Sequence, residues 1–101
     1  MHSNDAQMLV LTVLAERPLH GYAINSAIEE LAGGKLGPGS LYGALSRLEA
    51  RGLIGPVEDA SGERHRTMAI TEDGRAALGE ELRRMARISA AGLRALGIGS
   101  A

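Results

Sequence analysis

The sequence predicts a mainly α-helical domain with one small β-hairpin, an α+β fold that ends in a long C-terminal helix. Three observations carry this expectation. Apolar residues recur at helical spacing in stretches near both ends and in the middle of the chain. One run brackets a turn-forming Asp-Ala-Ser-Gly-Glu with short apolar segments, as a hairpin does. Glycines and prolines punctuate the junctions between these stretches. At 101 residues the chain makes a single domain. With no Phe, no Trp and only two Tyr, its core must be built from Leu, Ile, Val, Ala and Met.

The first helix is expected from about Asp5 to Glu16, where Met8, Leu9, Leu11, Val13 and Leu14 give a wide apolar face. Ser3 or Asn4 would cap it, and Pro18 stops it beyond Arg17. A second helix, Gly21 to Ala32, places Tyr22, Ile24, Ile28 and Leu31 near one face, with Glu29 and Glu30 outside. Gly33 and Gly34 would end it in the left-handed conformation that glycine favours. The third is written in GPGSLYGALSRLEARGLI, Gly37 to Ile54. Pro38 presets the first turn, and Ser40 is a candidate cap just inside it. Residues 53–70 read as the hairpin, with Pro56 suited to an edge strand. The last helix starts at Thr71, carries Glu72 and Asp73 in its first turn, and runs to about Leu96.

Composition excludes several classes. Without cysteine there are no disulfides and no thiolate zinc sites, which suits a cytoplasmic protein. The longest apolar run, within residues 8–15, is too short to span a bilayer, and no basic segment precedes it as in a signal peptide. No membrane is expected among the partners. His2, His20 and His65 show no metal-ligand spacing. Gly34-Lys35 resembles a phosphate loop, but Leu36 replaces the required hydroxyl and Glu29 the first glycine. No nucleophile elbow or dinucleotide fingerprint appears either. The expectation is therefore a protein that is not an enzyme and needs no cofactor.

The third helix is the informative one. Leu41, Leu45 and Leu48 fall at i, i+4 and i+7 and form a buried stripe. Ser40, Tyr42, Gly43, Ser46, Arg47 and Arg51 take the flanks and the opposite side, small at the start and cationic towards the end. Small residues allow close approach of a backbone, and arginine offers a bidentate donor for phosphate or guanine. Helix, glycine turn, second helix and hairpin in this order make a winged helix-turn-helix. Arg64, His65 and Arg66 then sit in a row at the hairpin tip.

At this point the chain resembles the PadR family of transcriptional regulators. The resemblance rests on PLHGYAI (Pro18–Ile24), the Gly37–Ile54 stretch and ERHRTMAITEDGRAAL (Glu63–Leu78), in order and over most of residues 8–80. It implies a winged helix-turn-helix, usually a dimeric repressor, whose shorter members end in a single dimer-forming helix. It further implies double-stranded DNA with a near-palindromic operator as partner, and a small-molecule effector. This chain departs in having Gly43 where a proline is frequent after Leu-Tyr, and Thr67, Met68 and Ala69 where the wing strand often carries aromatics. Its two tyrosines both lie in the first 71 residues, so a flat effector sandwiched between aromatics at the dimer interface is not expected.

The residues expected at DNA are His20, Tyr22, Lys35, Gly39, Ser40, Tyr42, Gly43, Ser46 and Arg47, with Arg64, His65 and Arg66 from the wing. Structural alternatives stand beside them. Tyr42 either packs its ring or offers its hydroxyl to a phosphate. His20 and Tyr22, at a helix entrance, either cap and pack or hold phosphate. Arg47 either pairs with Glu49, Glu58 or another acid or reads DNA, and the face it shares with Ser46 favours DNA. Arg64 and Arg66 either form a solvated cluster or touch the backbone from the wing.

Leu78, Leu82, Met85, Ile88 or Ser89, Leu93 and Leu96 recur at steps of four and three, close to a heptad seam. A helix of about 25 residues is about 37 Å long, more than a three-helix core covers. A second copy is the simplest partner for its far half, with Met8 and Leu11 of the first helix completing the interface. Residues 1–71 would be the winged helix-turn-helix and 72–101 a dimerisation helix with a flexible tail, together one compact unit. Charge gives an opposing signal: the net value is −1 and the isoelectric point is near 6.3, low for a DNA binder. Residues 1–34 hold one basic and four acidic groups, against five and four in residues 35–66 and again in 67–101. A winged-helix module that binds protein without DNA is the alternative that this balance supports.

Overall fold

The computed structural model describes residues 3–57 and 67–98, in seven elements. These are α1 (Ser3–Glu16), β1 (Leu19–His20), α2 (Gly21–Ala32), α3 (Pro38–Ala50), β2 (Ile54–Val57), β3 (Thr67–Ile70) and α4 (Glu72–Ala95). The side chains of Ser3 and Asn4, on which the expected cap depends, and the wing-tip residues Arg64, His65 and Arg66 lie outside what is described.

α1 is the central strut. Ala6, Val10, Leu11, Val13 and Leu14 are all buried, an arc too wide for a surface helix. It touches α2, α3, α4 and β3. Thr12 neutralises its hydroxyl within the helix by donating to the Met8 carbonyl at 2.7 Å. Around α1 the core closes with Ile24 and Ile28 of α2, Leu41, Ala44 and Leu48 of α3, and Leu53, Ile54, Met68 and Leu78. Truncating one of the fully buried leucines or isoleucines to alanine costs about 2–5 kcal/mol, a large share of the 5–15 kcal/mol that holds a domain. Both tyrosines stand outside this core.

α2 departs from its sequence reading on one point. Ile24 and Ile28 face inward, but Tyr22 and Leu31 are exposed. Tyr22 lies about 200° around the helix from Ile24, which carries its ring to the outside. The helix does end at Gly33, left-handed with φ 84°. The sheet is larger than a hairpin. β2 and β3 pair antiparallel with Ile54 opposite Ile70, and β1 adds a third strand on the other edge of β3, Leu19 opposite Met68. Pro56 sits in β2, an edge strand, where its missing N–H costs little.

α3 starts at Gly37 and Pro38 with no side-chain cap, so Ser40 does not serve as one. It stops in a Schellman turn: the Gly52 and Leu53 N–H groups return to the Glu49 and Leu48 carbonyls, each at 3.0 Å. Gly52 adopts φ 74°, which a side chain would oppose. Thr71 caps α4 by accepting the Gly74 N–H at 3.0 Å. Beyond Leu78 the helix leaves the core, and Leu82, Met85, Ile88, Leu93 and Leu96 are all exposed. Its outer surface carries an (i, i+3) Glu81–Arg84 pair, whose hydrogen bonds hold the Glu81 carboxyl below its ordinary range. Among the described residues no helix is long and apolar enough to cross a membrane.

Candidate nucleic-acid interface

α3 divides into two faces. Leu41, Ala44 and Leu48 are buried against α1, with Leu45 partly so. On the other side Gly39, Ser40, Tyr42, Ser46 and Arg47 are exposed. The Arg47 guanidinium lies back along the helix over Gly43: a Cβ added there would stand 3.4 Å from its Nη1. Gly43 thus gives the arginine a shallow seat on the outer face, one turn before its own Cα.

The α2–α3 junction brings more of the expected residues together. Gly21, Tyr22, Ser26 and Lys35 face Pro38 and Tyr42 across one open cleft, with Asn25 and Leu41 beneath. Tyr22 is 77% exposed and Tyr42 62%, so the only two aromatic residues of the chain stand on the same cleft in solvent. Each presents an apolar ring and a hydroxyl donor, and Lys35 adds a cation beside them. His20 occupies the cap position of α2 without a side-chain cap bond. It also pairs with Thr67 across the sheet, so α2 begins from a strand that lies beside β3 of the hairpin.

Two residues that shape this site carry no periodic signal in the sequence. Asn25 donates to the Leu36 carbonyl at 2.8 Å and accepts the Leu36 N–H at 2.9 Å, pinning the glycine turn between α2 and α3. Gln7 is buried on α1 and accepts from the Arg51 guanidinium at 2.9 Å. Arg51 therefore turns back to the core side and does not extend the cationic outer face of α3. A lone amide directly before the apolar run of α1 was the available signal, since buried polar groups require partners.

The residues expected at a dimer interface divide as well. Leu11 and Leu78 are buried in the core of the single chain and Met8 packs against it. Leu82, Met85, Ser89, Leu93 and Leu96 remain exposed along α4.

These elements define a winged helix-turn-helix protein with a long, half-uncovered C-terminal helix. The sequence profile of the transcriptional regulator PadR-like family matches residues 10–80, and the chain belongs to that family. Among solved structures, H. salinarum RosR is similar at 31% identity and TM-score 0.67, covering 79% of this chain and 71% of that one. A structure of the RosR-S4 complex is similar at 30% identity and TM-score 0.65, with 89% of each chain covered. A PadR family transcription regulator from Clostridium difficile shares the fold at TM-score 0.78 and 21% identity, over 90% of this chain and 97% of that one. The chain is also 57% identical over 89 residues to an uncharacterised 37.1 kDa protein in transposon TN4556 of Streptomyces fradiae. That match spans 88% of this chain and a quarter of the length of the transposon protein.

Proposed function

We propose that this chain is a sequence-specific DNA-binding transcriptional regulator that works as a homodimeric, cytoplasmic repressor. The observation that carries the reading is the placement of its two tyrosines. A protein short of aromatics gains most by burying them, yet both stand exposed on one cleft beside Lys35, next to the Ser46–Arg47 face. The outer face of α3 enters the major groove, with Arg47 as base-reading donor and Ser40, Gly43 and Ser46 allowing close approach. Tyr22, Tyr42 and Lys35 hold the backbone phosphates alongside. Residues 1–71 form the DNA-binding unit and residues 72–101 the dimerisation helix.

In the dimer the exposed stripe of α4 is covered by the second copy, and two α3 helices about 34 Å apart meet successive major grooves of a near-palindromic site. A small-molecule effector releases the repressor by binding better to one arrangement of the two units than to the other. Selection of bound duplexes from a random pool tests the reading: two inverted half-sites one helical turn apart are expected. An enriched pool with no shared sequence would overturn it. The second reading, a module that binds protein alone, is favoured by the net charge of −1. It expects Arg47→Ala to leave the partner interaction intact or to alter it without any salt-dependent DNA signal.

A further inference from the structure

The three residues that follow α3 tie it to two other parts of the molecule, α1 and the start of α4. Arg51 donates its guanidinium to buried Gln7 of α1 at 2.9 Å. The Gly52 carbonyl accepts the Thr71 hydroxyl at 2.7 Å, and the Leu53 carbonyl accepts the Thr71 N–H at 3.0 Å. The Leu53 carbonyl is also pressed against α4, since a Cβ on Gly74 would stand 2.0 Å from its oxygen. The same Thr71 hydroxyl that reaches Gly52 accepts the Gly74 N–H and so caps α4. Arg75, one residue further on, donates to the Ala15 carbonyl at the end of α1, at 3.3 Å.

The end of α3 and the start of α4 are therefore joined with no slack segment between them, and each is tied separately to α1, at Gln7 and at Ala15. Hydrogen bonds of this length weaken steeply once donor and acceptor part by a few tenths of an ångström. α3 can turn relative to α4 only by breaking several of them together. We infer that residues 51–53 are a rigid coupling through which the orientation of α4 fixes that of α3, with Arg51 and Thr71 as positioning residues. The inference rests on reading α3 as the DNA helix and α4 as the dimer helix. α4 is 24 residues long, a lever of about 36 Å. An effector that shifts one α4 against the other then moves the two α3 helices apart without touching either.

The chain has no cysteine, so Ser46→Cys and Ala90→Cys place two nitroxide labels cleanly, one on the outer face of α3 and one on exposed α4. Labelled protein is diluted into unlabelled protein and the intrachain distance distribution is read by pulsed electron resonance. A single narrow distribution is expected in the parent, at least twofold broader in Thr71→Val and in Arg51→Ala. Thr71→Ser, which keeps the hydroxyl, restores the narrow width. Unchanged width in Arg51→Ala and Thr71→Val would overturn the coupling. Arg51 is exposed outside the core, so its variant decides the matter even where Thr71→Val does not fold. The labels report without DNA, so failure of the coupling is distinguishable from failure of the DNA reading. With a selected operator in hand, the parent discriminates against half-sites moved apart by one base pair, and Arg51→Ala loses most of that discrimination at unchanged affinity for the parent site.

Discussion

Asn25 closes the turn between α2 and α3 by pairing its side-chain amide with both backbone groups of Leu36, at 2.8 and 2.9 Å. The amide takes the place of a neighbouring strand. It satisfies an N–H and a C=O that a glycine turn of this length would otherwise leave to water. Leu36 is thereby held with its side chain in the core, and Lys35 is presented to the cleft beside it.

Asn25→Ala removes both bonds. The expected loss is about 1–3 kcal/mol of unfolding free energy, measured by urea titration. Asn25→Asp keeps the acceptor for the Leu36 N–H but lacks the donor for its carbonyl, and falls between the two. Equal stability of Asn25→Ala and the parent would show that the turn is held by its own backbone.

Two glycines of α4 predict opposite signs. At Gly74 an added methyl meets the Leu53 carbonyl at 2.0 Å, backbone that cannot yield without moving α4, so Gly74→Ala should destabilise by several kcal/mol, on the order of an overpacked core or more. At Gly79 the nearest atom is the flexible Arg83 guanidinium at 3.4 Å. There alanine gains helix propensity, about 0.5–1 kcal/mol. Thermal midpoints of the two variants against the parent settle both; a tolerated Gly74→Ala would contradict the close approach.

The sequence displayed α3 most clearly because its apolar and polar residues separate cleanly at helical spacing. Leu41, Leu45 and Leu48 turned inward, with Ala44 between them, and Tyr42, Ser46 and Arg47 outward. The α4 stripe was legible for the same reason. Hidden were features that arise from single long-range contacts. β1 has only two residues, too few for an alternating pattern, and exists because Met68 and Thr67 lie opposite. Arg51 looked outward by extrapolating the helix, but it is the C-cap, where the Schellman turn has begun and Gln7 is in reach. Leu78 fits a dimer seam by spacing, yet spacing cannot distinguish a chain's own core from a partner's.

That distinction gives the dimer its test. Met85 and Leu93 are 43% and 42% exposed in the single chain, so charges there leave the core intact. Met85→Glu with Leu93→Glu should convert the dimer to a folded monomer in sedimentation equilibrium, with helical circular dichroism retained. A parent protein that sediments as a monomer throughout would remove the proposed interface.

The most direct test of DNA reading is fluorescence anisotropy with duplex from upstream of the protein's own gene, beside a scrambled duplex, across a salt series. The expected result is tight binding to the native duplex alone, steeply weakened by salt, with Arg47→Ala costing about 1–3 kcal/mol. Absence of binding to either duplex at the lowest salt would contradict it, and would transfer the exposed α3 face to a protein partner.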